Sequence, residues 1–126
     1  MNKVLVDTSV WIDHFRHTNN ALTLLLNTDL VLTHPMIIGE LACGTPPSRH
    51  QTLESLSLLQ ATQLATLQEV LTFIEQQQLY GLGCGYVDLN LLASTLLTPD
   101  TKIWTLDRRL AELAERFDVS HRTNIH

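Results

Sequence analysis

Three short apolar runs each have the length and composition of a buried β-strand, and they constrain the fold of this chain most strongly. They cover residues 3–6, 30–33 and 102–106. After Lys3 the first run is continuously aliphatic, which is typical of a strand buried on both faces of a parallel sheet. A segment with helical spacing follows each run. Strands that alternate with helices predict an α/β domain, in which helices flank a short parallel sheet.

Hydrophobic spacing, capping residues and breaks at glycine or proline predict seven helices. One begins directly after Asp7, and the others cover 21–26, 36–43, 49–59, 67–78, 86–97 and 108–117. Thr8 and Ser9 are good caps for the first helix, as are Ser48 for the fourth and Thr66 for the fifth. The fifth helix is predicted to bury a stripe formed by Leu67, Val70, Leu71 and Ile74.

Length and charge limit the classes of protein to which the chain can belong. Its 126 residues suit one domain, residues 1–126. No apolar stretch approaches the roughly 20 residues that cross a bilayer, so we expect no membrane association and a cytoplasmic location. The net charge of −5 argues against a general nucleic-acid binder. It does not exclude a nuclease, because a metal ion can supply positive charge locally.

The two cysteines, Cys43 and Cys84, lie far apart in the sequence and form no CxxC pair. Both are flanked by glycine or small apolar residues, which is typical of buried, reduced thiols. The pattern therefore supports neither a disulfide scaffold nor a zinc site.

Two aspartates occupy the carboxyl ends of predicted strands. Asp7 ends the first run, and Asp107 follows the third. Either residue on its own could simply form a turn or cap the next helix. In a parallel sheet, however, ligands bind beyond the carboxyl ends of the strands. Two such carboxylates in one small domain therefore predict a site at that edge.

Two further carboxylates lie in apolar helices. Glu40 is the only charged residue in the helix 36–43, which predicts that this helix is buried on most sides. An ionised carboxylate in such surroundings needs a cation or hydrogen-bond donors; an exposed helix face is the alternative. Asp88 lies in the first turn of the apolar helix 86–97. Its charge could simply interact favourably with the helix dipole there, or its carboxylate could form one site with the strand-end aspartates.

Four carboxylates in one site would repel one another, and a divalent cation would remove that conflict. Ligation by oxygen alone favours Mg²⁺ or Mn²⁺ over zinc or copper. Such an ion lowers the pKa of a bound water and stabilises charge on a phosphoryl group in transit. The residues therefore predict hydrolysis of a phosphodiester.

Four sequence motifs resemble those of the PIN-domain family, specifically the VapC-like toxins of bacterial toxin–antitoxin pairs. The motifs span almost the whole chain in the family's order, and their combination is specific although each is short. They are VLVDTSVWID at 4–13, IGEL at 38–41, GYVDLNLLA at 85–93 and WTLD at 104–107. The resemblance implies a PIN fold and an endoribonuclease that depends on Mg²⁺, with Mn²⁺ as a substitute.

The resemblance also implies roles for individual residues. Asp7, Glu40, Asp88 and Asp107 correspond to the family's acidic quartet. Ser9 occupies the motif's hydroxyl position and would support the site through hydrogen bonds. On this interpretation the three aspartates ligate one or two ions, and Glu40 completes the shell or orients the attacking water.

The partners implied by the same resemblance are an RNA substrate, a cognate VapB-like antitoxin and a second copy of the chain in a homodimer. The antitoxin would inhibit the enzyme by lying over the site. Operator DNA would be bound only indirectly, through the antitoxin. No residue decides whether the RNA target is a transfer, ribosomal or messenger RNA.

Two other functions fit part of the sequence. A catalytically inactive PIN-fold protein could act by binding an antitoxin-like partner, although the intact acidic positions disfavour this. A receiver-type phosphoacceptor also places acids at strand ends, but it needs a lysine where this chain has Asp107. Asn90, the basic pair Arg108 and Arg109, and the segment 118–126 match no fixed feature of the PIN pattern and are assigned no catalytic role.

Overall fold

The computed structural model describes residues 2–123, and the predicted α/β class is confirmed there. Its elements are β1 (Lys3–Val6), α1 (Thr8–Arg16), α2 (Asn20–Asn27), β2 (Val31–Leu32), α3 (Pro35–Ala42), α4 (Arg49–Ser57), α5 (Leu67–Gln77), α6 (Tyr86–Leu97), β3 (Thr101–Trp104) and α7 (Arg108–Arg116). None of the helices in this described part has the length and apolar composition needed to cross a bilayer. Residues 1 and 124–126, which the single-domain prediction includes, lie outside the described residues.

The three strands form a parallel sheet in the order β2-β1-β3. The last residue of β1, Val6, is paired with Trp104 at the end of β3, so both strands end at the same edge. The chain after α7 extends the sheet beside β3. There Ile103 N donates to Val119 O (2.7 Å), and His121 N donates to Ile103 O (2.9 Å). Part of the C-terminal segment thus completes the sheet.

The central strand and one helix form the middle of the core. Residues 4–6 of β1 are almost completely buried, as expected of a continuous aliphatic strand. In α6 every residue from 89 to 95 is buried, and this helix packs against β3 and α5. A helix that is apolar nearly all round belongs in the interior. The site residues that follow β1 and begin α6 are therefore held on rigid elements.

The predicted cap Thr66 is confirmed, Ser48 occupies the predicted position without a capping hydrogen bond, and Thr8 and Ser9 are wrong as caps. Thr8 and Ser9 lie inside α1, and both hydroxyls donate to carboxylates instead. Ser48 precedes α4 but has a φ of 48° and makes no capping hydrogen bond. Thr66 does cap α5: its hydroxyl accepts from the backbone N–H of Glu69, and the Glu69 side chain accepts from the Thr66 N–H.

Three predictions of burial are also wrong. In α5, Val70 is fully buried, but Leu67 and Leu71 are 60% and 45% exposed. Because α5 packs mainly on α6, the face that it buries is narrow. One side of α3 faces solvent, so Glu40 is exposed. Cys43 is exposed as well, although both thiols are free, as predicted.

Candidate active site

The first carboxylate of the site, Asp7, directly follows β1 and is 94% buried, since only 6% of its surface is exposed. Its backbone N–H donates to Trp104 O (2.9 Å), which ties it to the end of β3. Its Oδ2 accepts from Ser9 Oγ (2.8 Å) and from Thr105 Oγ1 (2.7 Å). The side chain makes no capping hydrogen bond to α1. Asp7 is therefore not the simple helix cap that its position allowed.

Two hydroxyls connect the ends of β1 and β3 around this carboxylate. Ser9 Oγ, besides donating to Asp7, accepts from Leu106 N (2.9 Å). Thr105 Oγ1 accepts from Asp107 N (3.0 Å) and lies 3.3 Å from Ser9 Oγ. Thr105 was not among the predicted site residues, although its hydroxyl lies at the carboxyl end of a strand, two residues before an aspartate.

Asp107 is the N-cap of α7. Its Oδ1 accepts from the backbone N–H groups of Arg109 (2.9 Å) and Leu110 (3.1 Å). This is the capping role that the sequence left open for a strand-end aspartate. Only one carboxylate oxygen is used, so the cap leaves Oδ2 available for a ligand.

Glu40 approaches the site from α3. Thr8 Oγ1, at the start of α1, donates to Glu40 Oε1 (2.7 Å). The expectation that a buried environment would make this carboxylate costly is wrong, because Glu40 is solvent-exposed. It lies at the border of the site and is held there by a hydroxyl donor.

The pKa of Asp88 responds to the charges of the other three carboxylates of the site. Asp88 lies half-buried in the first turn of α6, and burial is the largest cause that raises its pKa. The negative charges of Asp7, Asp107 and Glu40 raise the pKa further, whereas a hydrogen bond from the Gly85 backbone opposes the rise. All three of the other carboxylates thus repel the ionised form of Asp88.

A buried polar network fixes α3, which carries Glu40, relative to α6. His34 caps α3 through Nδ1, which accepts from Met36 N (3.1 Å). The imidazole proton therefore lies on Nε2, which donates to Ser94 Oγ (3.2 Å). Ser94 donates to Asn90 Oδ1 (3.0 Å). Burial lowers the pKa of His34 and keeps the ring neutral, so this network positions the two site helices without adding charge.

These residues lie in a segment that matches a known family: a model of the PIN domain covers residues 4–116, including all four carboxylates. The chain belongs to the PIN-domain family. It is 42% identical over 107 residues to Ribonuclease VapC32 of Mycobacterium tuberculosis, strains CDC 1551 / Oshkosh and ATCC 25618 / H37Rv. The match covers 85% of this PIN protein and 86% of the relative. The predicted resemblance to VapC-like PIN toxins is confirmed.

VapC nucleases of the PIN family are generally metal-dependent. The carboxylate oxygens of this PIN domain are ligands that suit an oxygen-preferring cation. Asp7 Oδ1, Asp107 Oδ2 and Glu40 Oε2 accept no hydrogen bond from the described residues. Within residues 2–123, no three acidic, histidine or cysteine side chains are arranged to hold an ion as they stand. Ion binding would therefore draw together carboxylates that otherwise repel one another.

We expect Asp88→Asn to stabilise the metal-free PIN domain at neutral pH. A carboxyl whose pKa is raised on folding holds its proton more tightly in the folded state. The stability that this carboxyl contributes is therefore lost as the pH rises from its pKa in the unfolded chain through its raised pKa in the folded state. Thermal melts in excess chelator should show a higher Tm for Asp88→Asn at pH 7 and a difference that shrinks toward about pH 4. A less stable variant at pH 7 would contradict the repulsion argument.

Proposed function

We propose that this PIN domain is the toxin of a type II toxin–antitoxin system and that it hydrolyses RNA phosphodiester bonds as a metal-dependent endoribonuclease. The observation that carries the proposal is the buried Asp7 carboxylate at the sheet edge, whose charge helps to raise the pKa of Asp88. Membership of the PIN family and the relatives named as ribonucleases support this class of reaction.

The site residues divide into those that hold the ion and those that hold the carboxylates. Asp7, Asp88 and Asp107 would ligate Mg²⁺, for which Mn²⁺ could substitute, and Glu40 would complete the shell or orient the attacking water. When bound, the ion supplies a water of lowered pKa and neutralises charge on the phosphoryl group. Ser9 would support the site through its hydrogen bond to Asp7.

The chain itself prepares Asp7 for this role. Two hydroxyl donors, from Ser9 and Thr105, hold Oδ2 of a carboxylate that is largely removed from water. Because both donors bind the same oxygen, the rotamer is fixed and Oδ1 is left for the ion. Thr105 is thus a positioning residue and should be added to the site.

The family also suggests how the protein is regulated. A cognate VapB-like antitoxin would lie over the site, the toxin would form a homodimer, and operator DNA would be bound only through the antitoxin. We propose further that the whole chain, residues 1–126, is one PIN domain and that it acts in the cytoplasm.

The test is cleavage of a random-sequence RNA pool by the purified protein. We expect cleavage with Mg²⁺ or Mn²⁺, none in excess EDTA, and recovery when Mg²⁺ is added beyond the chelator. Full activity in EDTA would exclude a metal-dependent mechanism. A protein that binds a co-expressed partner yet neither cleaves RNA nor binds Mn²⁺ by calorimetry would instead fit the inactive regulatory alternative.

A further inference from the structure

The side chain of Arg109 carries a positive charge at the border of the acidic site. Arg109 is the second residue of α7, a position where the helix dipole disfavours a cation. Its neighbour Arg108 is placed for an ion pair with Glu112, one turn further along (Nε to Oε1, 3.7 Å). The Arg109 guanidinium, in contrast, has no hydrogen bond or ion pair with any residue in the described range. Arg109 is exposed, so its charge is open to a ligand from solvent.

The Arg109 side chain lies against the loop before α6. A methyl group on Gly83 would come within 2.7 Å of Arg109 Cδ and 2.8 Å of Cζ, closer than van der Waals contact permits. Gly83 also has a φ of 86°, which favours glycine. The guanidinium thus packs directly on the backbone of the loop that leads to Asp88.

The charge of Arg109 acts on the same region as the site carboxylates. Burial is the main cause that raises the pKa of Cys84, which lies in this loop. Asp88 and Asp107 raise that pKa further, whereas Arg109 lowers it. The cation and two of the four carboxylates therefore lie within interaction range of one thiol.

We propose that Arg109 binds a backbone phosphate of the RNA strand beside the carboxylate site. The protein has a net charge of −5 and an acidic site, both of which repel an approaching polyanion. An unpaired guanidinium at the site border offsets this repulsion locally. Its planar donors can bind a phosphate through two hydrogen bonds at once. This inference rests on the proposed ribonuclease function and assigns its strand-binding residue.

The test compares Arg109→Gln with the matched control Arg108→Gln, which removes an equal charge one residue away. Binding of a fluorescein-labelled, random-sequence single-stranded RNA is measured by anisotropy in EDTA, and cleavage of the same RNA is measured in Mg²⁺. We expect Arg109→Gln to weaken binding roughly tenfold and to raise KM similarly, with little change in kcat. Arg108→Gln should stay within about twofold of the wild type, as expected of an exposed ion pair.

The salt dependence separates phosphate binding from a structural role. Loss of one phosphate contact should reduce the slope of log K against log salt by about 0.7 for single-stranded RNA. Arg109→Lys keeps the charge and should restore the slope while recovering only part of the affinity. A Tm that falls in Arg109→Gln without a change in slope would identify a structural role and overturn the proposal.

The outcomes also separate this inference from the proposed function. If the wild type cleaves RNA and the two glutamine variants behave alike, only the role of Arg109 is overturned. If Arg109 governs RNA binding but the wild type does not cleave in Mg²⁺, the enzymatic function fails and the binding role stands. A wild type that neither binds nor cleaves RNA overturns both.

Discussion

Asp7→Asn is expected to lower RNA cleavage by roughly 100-fold or more while the fold stays intact. The amide keeps the shape of the side chain and can still accept from Ser9 and Thr105. It removes the negative charge that would hold the ion, however, in a position where only 6% of the residue is exposed. Initial rates in saturating Mg²⁺ measure the effect.

The matched control is Asp100→Asn. Asp100 is an exposed aspartate directly before β3, at the opposite end of the strand from the site. We expect this variant to cleave RNA at the wild-type rate, because the carboxylate lies at the amino end of the sheet. Cleavage by Asp7→Asn at the rate of the control would refute the assignment of the site. Circular dichroism melts of both variants show whether either change alters the fold.

Leu92→Ala is expected to destabilise the protein by about 2–5 kcal/mol. Leu92 lies in the middle of α6, with none of its surface exposed, and belongs to the main core cluster. Shortening it removes apolar contacts and leaves a cavity in the core. Since α6 carries Asp88, loosening this helix should also lower cleavage at temperatures near the Tm.

Leu97→Ala provides the control in the same helix. Leu97 is the last residue of α6 and is 46% exposed, so we expect its truncation to change stability by no more than about 0.5–1 kcal/mol. Urea denaturation followed by far-ultraviolet circular dichroism gives both free energies of unfolding. Equal losses in the two variants would mean that α6 is not packed as described.

Much of the fold follows from local patterns in the sequence. The aliphatic residues 4–6 and the helix 86–97 are apolar on most sides, which favours burial whatever their neighbours are. Strand-end position likewise predicted Asp7 and Asp107 as site residues, since parallel strands align their carboxyl ends. For Glu40 the same local reasoning failed: its helix lacks other charges but still exposes one face to solvent.

The partners of the polar side chains could not be predicted in this way. Thr8 and Ser9 are suitable helix caps by residue type, yet they donate to carboxylates that lie on another helix or at a strand end. Thr105 lies at a strand end two residues before Asp107, but its role depends on the alignment of β3 with β1. A hydroxyl binds whichever acceptor comes within about 3 Å, and that distance is decided by the packing of distant segments.

The sequence by itself determined the α/β class and the strand ends at Asp7 and Asp107, because apolar runs and helical spacing are local patterns. It also determined the PIN resemblance, because the four motifs are read directly from the sequence. Only the tertiary structure decided that Thr105 holds Asp7, that Glu40 stays exposed, and that Arg109 lies on Gly83. Such contacts join residues far apart in the chain, so their geometry exists only once the sheet and its helices have packed.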